Sequence, residues 1–167
     1  MEERIGNIVK EDAKVIWTNF KGLPDDMNPD GGKRMFNLVL DEDEAEVYAN
    51  DGWNVKEYHR KNDRGEVESI IYYLPCRVRF DGGRPPKVVM VTDRNVIELD
   101  DDTVGRLDDV TIVSCDVEIT PYHWKIKGRG EGYTAYLKTM YATIEETDRF
   151  SDKYRNRFTN EDNLPFG

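Results

Sequence analysis

The sequence predicts a mainly β protein, an OB-fold-like Greek-key barrel with extra hairpins and one or two short helices, with a sandwich of similar strand count as the alternative. Three observations carry that expectation. Short runs of β-branched and aromatic residues alternate with Gly- and Pro-bearing turns, and they number six to eight. No segment repeats at a fixed period, so a solenoid is excluded. The 167 residues suit a single core.

The run Ala13-Lys14-Val15-Ile16-Trp17-Thr18-Asn19-Phe20 reads as a strand that stops at Gly22-Leu23-Pro24, and residues 21–33 read as a loop. Arg34-Met35-Phe36-Asn37-Leu38-Val39-Leu40 resumes the strand pattern. Residues 41–50 follow with acids crowded into the first turn and Gly52 just past the end, the start and stop signals of a helix. Residues 53–58 and 67–80 form strand-like runs on either side of a charged turn over residues 59–66, which predicts a long hairpin. Asp81-Gly82-Gly83-Arg84-Pro85-Pro86 is a loop, because its prolines have no ladder donor. Residues 87–92 are another strand, and residues 101–107 a short helical turn. Residues 109–120 and 132–144 alternate well enough to be long strands, joined through Tyr122-His123-Trp124-Lys125 and a Gly128-Arg129-Gly130 turn. Two units follow: an OB-fold-like domain over residues 1–147, then a short helix and flexible acidic tail over residues 148–167.

Composition narrows the function. No apolar stretch is long enough to cross a bilayer, and Met1-Glu2-Glu3-Arg4 opens no secretory signal, so a cytoplasmic protein is expected. Cys76 and Cys115 lie far apart in β-like runs without a neighbouring Cys or His, which points to two buried thiols in a reducing compartment. The net charge of −10 argues against a nucleic-acid partner until its distribution is considered. Residues 41–51 hold six acids and no base, and residues 98–109 hold six acids against Arg106 alone. Together they contribute −11, leaving about +1 for everything else. Residues 77–94 carry Arg77, Arg79, Arg84, Lys87 and Arg94 against Asp81 and Asp93. Residues 121–138 carry Lys125, Lys127, Arg129 and Lys138 against Glu131.

Several motifs imitate chemistry without completing it. Asp26-Met27-Asn28-Pro29-Asp30-Gly31 matches the first half of a calcium loop, but its twelfth position is Asn37 and a strand follows where a helix is required. Gly31-Gly32-Lys33 lacks the earlier glycine of a phosphate loop, and Arg34 stands where Ser or Thr belongs. Asp100-Asp101-Asp102, with Glu98, Asp108 and Asp109, could hold Mg²⁺ for phosphodiester cleavage. Adjacent acids on a turn diverge, so a solvated acidic face is the simpler reading. Neither His59 nor His123 neighbours a nucleophile pattern. No catalytic residue, cofactor or metal is expected.

The positive signal is cations interleaved with aromatics on strands. Trp53, Lys56 and Tyr58 share one run, and Arg77, Arg79 and Phe80 follow Tyr72 and Tyr73 in the next. Tyr122, Trp124, Lys125, Lys127, Arg129, Tyr133, Tyr136 and Lys138 fill the last pair. Single-stranded nucleic acid needs π faces for its bases and cations for its phosphates along one groove. The expected DNA-binding set is Trp53, Lys56, Tyr58, Arg77, Arg79, Arg84, Lys87, Tyr122, Trp124, Lys125, Lys127, Arg129 and Lys138.

The chain ends Asn160-Glu161-Asp162-Asn163-Leu164-Pro165-Phe166-Gly167. Acids ahead of Leu164-Pro165-Phe166 resemble the tip of bacterial single-stranded-DNA-binding proteins, with Gly167 displacing the terminal carboxylate by one residue. That likeness implies that Glu161, Asp162, Leu164, Pro165 and Phe166 dock on replication or recombination proteins and compete with DNA for the groove. The body is similar to phage and prophage single-stranded-DNA-binding proteins of the OB-fold type. Asn19-Phe20, the run 34–40, Asp51-Gly52-Trp53-Asn54-Val55-Lys56, Arg84-Pro85-Pro86-Lys87-Val88, Leu107-Asp108, Pro121-Tyr122-His123-Trp124 and Ala135-Tyr136-Leu137-Lys138-Thr139-Met140-Tyr141 carry it. The resemblance implies a non-enzymatic binder of single-stranded DNA in a phage-infected bacterial cytoplasm, serving replication or recombination; a homo-oligomer is compatible with it. Two other classes fit parts of the chain: an acidic DNA mimic that inhibits a host enzyme, and a metal-dependent nuclease using residues 98–109.

Overall fold

A computed structural model describes residues 5–26 and 29–145. The strands are β1 (Ile8–Ala13), β2 (Val15–Asn19), β3 (Arg34–Leu40), β4 (Lys56–Lys61), β5 (Val67–Val78), β6 (Lys87–Val91), β7 (Val96–Leu99), β8 (Ile112–Ile126) and β9 (Gly130–Ile144). One α-helix, α1 (Glu42–Asp51), and a 3₁₀ turn, Val104–Asp108, complete the described residues.

The strand order β1-β8-β9-β5-β3-β2 places β1 and β2 at opposite ends of one sheet. Yet only Lys14 separates them in sequence, and the Lys14 carbonyl accepts from Val39 N at 2.9 Å. The two edges are therefore halves of one kinked segment, and the sheet curls back on itself. Antiparallel β2–β3–β5, a parallel β5–β9 pair, and antiparallel β9–β8–β1 make the OB-like Greek-key circuit. The β4–β5 and β6–β7 hairpins are additions to it.

Strand alternation fills the interior. Phe36, Leu38 and Leu40 of β3 face inward with Leu74, Cys76 and Val78 of β5, all buried. Phe20 stacks on Phe36 with ring centroids 5.9 Å apart. Val104 and Leu107 of the 3₁₀ turn are fully buried in the same core. Asp108 holds that turn against the end of β2, accepting from Thr18 Oγ1, Phe20 N and Lys21 N at 2.8 to 3.0 Å.

Helix α1 begins where its acids predict. Asp41 is a capping-box N-cap that accepts from Glu44 N, Glu44 returns to Asp41 N, and Gly52 closes the helix at φ 102°. Elsewhere the elements outrun the expected boundaries. β4 continues through His59, Arg60 and Lys61, so the turn is shorter than residues 59–66. β8 runs unbroken through Tyr122 to Ile126, and the 87–99 region holds a second strand, β7. β1 starts five residues before the expected strand. The expected helix and tail after residue 147 lie outside the described residues.

Candidate nucleic-acid interface

The alternation that buries Leu74 and Cys76 turns Tyr73, Pro75 and Arg77 outward on β5. Across the ladder, Met35 and Asn37 of β3 turn out beside Arg77 and Pro75. These residues floor a groove of about 690 Å³. Trp17 of β2 and Lys33 and Arg34 from the β2–β3 loop and start of β3 border it, as do Lys56 of β4 and Trp124 of β8. A second depression of about 380 Å³ shares Lys33, Arg34 and Arg77 with it and adds Arg79 and Tyr136. The two make one path across the sheet.

Trp17 reaches this path through a bulge. Register shifts between Ile16 and Asn19, and Trp17 sits at φ 48°, a left-handed conformation rare for a bulky residue. The buried side chain of Asn37 holds the bulge, its Nδ2 donating to Trp17 O at 3.2 Å and Ile16 O at 3.4 Å. The indole, 51% exposed, meets Tyr73 and Tyr58 edge-on at 5.0 and 5.3 Å. At the far side Trp124 lies over Gly132, where a Cβ would come within 3.0 Å of the indole ring. On the same face Tyr122, 61% exposed, meets Tyr136 edge-on at 5.9 Å. Indole and phenol rings thus stand at both ends of the path, with cations between them.

The cations differ in availability. Arg34 donates to Asp101 O at 2.7 Å and lies 5.4 Å from the Phe80 ring centroid. Arg79 pairs with Asp81 at 2.8 Å. Lys33, Lys56 and Arg77 have no ion-pair partner among the described residues. The acids of residues 41–51 belong to α1, whose Glu42 together with Glu57 of β4 raises the Tyr72 pKa after burial has done so first. Tyr72 alternates with the groove residue Tyr73, so these acids lie behind the groove face.

Of the residues expected from sequence, Lys56, Arg77, Arg79 and Trp124 line the path. Tyr58 and Tyr122 join it through their ring contacts with Trp17 and Tyr136. Trp53 also lines the groove, but it is only 5% exposed and packs in the core with its ring 6.2 Å from Tyr133, which leaves little of its face open for stacking. Lys125, Lys127 and Arg129 are exposed around the β8–β9 tip, next in sequence to Trp124 but outside the lining. Arg84 is exposed in the 81–86 loop, Lys87 lies 5.7 Å from the Tyr141 ring centroid, and Lys138 pairs with Glu118 at 3.4 Å. None of these three lines the path.

The sequence reading did not select Trp17, Lys33, Arg34 or Tyr136 for binding. Alternation misplaces Trp17 because the bulge resets the parity of β2. Lys33 sits in a loop, where periodicity says nothing, and Tyr136 was legible only as one aromatic of a long strand. Asp100, Asp101 and Asp102 cluster at the surface, but Asp100 is engaged by Thr103 Oγ1 and the amides of Asp102 and Thr103. Its carboxylate orders a turn.

Residues 1–165 match the family model described as "Putative phage ssDNA-binding domain". Among solved structures the chain is similar to the C-terminally truncated single-stranded DNA-binding protein from bacteriophage Enc34. That match has 15% identity and a TM-score of 0.48, covering 85% of this chain and 87% of the other. The Enc34 protein in complex with ssDNA gives 12% identity and a TM-score of 0.46, covering 86% and 89%. The untruncated Enc34 protein gives 13% and 0.45, covering 89% and 90%. No curated protein matches the sequence. The structural likenesses carry no weight at these scores, and the family rests on the sequence match.

Proposed function

The chain belongs to the phage single-stranded-DNA-binding family, whose members are non-enzymatic binding proteins, and from that premise we propose where and how the strand is held. The strand crosses β2, β3, β5, β9 and β8 along the path from Trp17 and Tyr73 to Trp124, Tyr136 and Tyr122. The observation that carries this reading is the coincidence of exposed rings at both ends with Lys33, Lys56 and Arg77 between them, which have no ion-pair partner among the described residues. Each ring offers a face that any base can cover, worth about 1–3 kcal/mol per stacked base. The cations neutralise phosphates without reading sequence. A duplex keeps its bases stacked on one another and cannot use the rings, so binding selects unpaired strands.

Titration of intrinsic tryptophan fluorescence with oligo-dT and with duplex of equal length tests this. Saturable quenching at low salt by the single strand alone is expected. Equal quenching by both, or none by either, contradicts it. The further role in phage replication or recombination, with Glu161, Asp162, Leu164, Pro165 and Phe166 docking on partner proteins, rests on the tail's acids and apolar tip. Removing residues 160–167 takes acids away from the phosphates' surroundings and is expected to tighten DNA binding.

A further inference from the structure

The β4–β5 hairpin projects past the sheet. All six residues of β4 are exposed, as are Val67, Glu68, Ser69 and Ile70 of β5; Val67, Ser69 and Ile70 pair with β4, while β3 pairs only from Tyr72 onward. Its tip is ordered from within. Asn62 Oδ1 accepts from Arg64 N at 2.9 Å and Glu66 N at 3.0 Å, and Asn62 N donates to Glu66 O at 2.8 Å.

The two faces of this arm carry opposite chemistry. Register places Lys56 against Tyr73, Tyr58 against Ile71 and Arg60 against Ser69, so these six share one face. Its paired residues include two cations and no acid, and Glu68 is the extra residue at the bulge between Arg60 and Lys61. Glu57, His59, Ile70 and Tyr72 share the other, where Glu57 pairs with His59 at 3.0 Å and Tyr72 stands near Glu42 of α1. Lys56 and Tyr73 of the first face already line the groove, and Tyr58 touches Trp17. The cationic face is thus a continuation of the groove floor, while the acidic face turns away from it.

We propose that the β4–β5 hairpin is a second segment of the binding surface, on which Tyr58 and Arg60 hold the single strand after it leaves the barrel groove beside Trp17. The proposal rests on the groove reading and extends the bound strand by the length of β4, about 20 Å for six residues. Arg60 is exposed and has no ion-pair partner among the described residues, so it is available to meet a phosphate. A flexible arm would lose this use, since ordering it on binding would cost conformational entropy; the tip hydrogen bonds supply the order beforehand.

The test uses the full chain, Arg60→Glu, and a second variant on the same face, Ser69→Glu, with a ladder of dT oligonucleotides. On the shortest oligonucleotide that the wild-type protein binds, both variants are expected to match it within about twofold. On oligonucleotides longer by several nucleotides both should bind several-fold more weakly. The salt dependence of Arg60→Glu should fall by at least about 0.7 in slope, the share of one phosphate contact on a single strand. Its occluded site size should also shrink. Equal effects at every length, no effect at any length, or a change of oligomeric state without length dependence would overturn the proposal. Failure of the wild-type protein to bind any length would instead sink the groove reading itself.

Discussion

Replacing Arg77 with alanine removes one of the three cations common to both halves of the groove while leaving the fold alone. The side chain is exposed and has no ion-pair partner among the described residues, so stability should stay within about 0.5 kcal/mol of wild type. The binding effect follows from counting available cations. Lys33, Lys56 and Arg77 have no ion-pair partner among the described residues, whereas Arg34 and Arg79 already face Asp101 and Asp81. Three phosphate contacts on a single strand give a slope of log K against log salt of about −2. Between 50 and 200 mM NaCl the wild-type affinity for a dT oligonucleotide should therefore fall about 18-fold. For Arg77→Ala the slope becomes about −1.4 and the fall about 7-fold. Fluorescence anisotropy at four or five salt concentrations reads both slopes. Parallel lines for the two proteins would refute the counting, and with it the placement of Arg77 against the phosphates.

Three further perturbations probe other parts of the site. Asn37→Leu removes both donors that hold the Trp17 bulge, and is expected to cost about 1–3 kcal/mol of stability by chemical denaturation. Combined with Trp17→Ala it should weaken DNA binding no further than Trp17→Ala alone, because both remove the same platform. Gly132→Ala places a methyl within 3.0 Å of the Trp124 ring, and should blunt the tryptophan quenching that DNA produces while circular dichroism keeps its β signature. Burial pushes the Cys115 thiol up to about 12, and Cys76 higher still, so neither should react with a thiol reagent at pH 8 until the protein unfolds. Because the folded values lie above the unfolded ones, the thiols stabilise the fold fully below about pH 8.5 and lose that contribution as pH rises from there toward the folded values. A denaturation series from pH 7 to 11 should show declining stability in that direction.

How far the sequence foretold this depends on how local each signal is. The helix signalled by acids in its first turn and Gly52 past its end, and the proline-bearing loop at residues 81–86, depend on near neighbours, and the structure keeps them, as it keeps the two buried thiols. β1 escaped notice because Ile8–Ala13 is mostly polar and becomes a strand by pairing with β8, more than a hundred residues away. The binding face was half legible for the same reason. Arg77 alternates with the core residues Cys76 and Val78 and could be found by parity, whereas Lys56 and Trp124 stand out only as a cation and an aromatic on strand-like runs. Trp53 looks identical to a platform in sequence and is instead core, since the Trp53–Tyr133 bridge that buries it joins distant segments. Trp17 stands exposed for a reason the sequence does not print, since a bulge and a buried asparagine on another strand decide its direction. The cations of residues 84–87 and Lys138 carry the same charge as those in the groove, but the fold places them outside its lining.

The central claim is the course of the strand, and photo-crosslinking tests it most directly. A dT oligonucleotide carrying 5-iododeoxyuridine at successive positions, irradiated on the full chain and mapped by mass spectrometry, should mark Trp17, Tyr73, Trp124, Tyr136 and Tyr122. Crosslinks gathered on the exposed side of Glu42–Asp51 or on the Lys87–Leu99 hairpin, with none on those five rings, would contradict it.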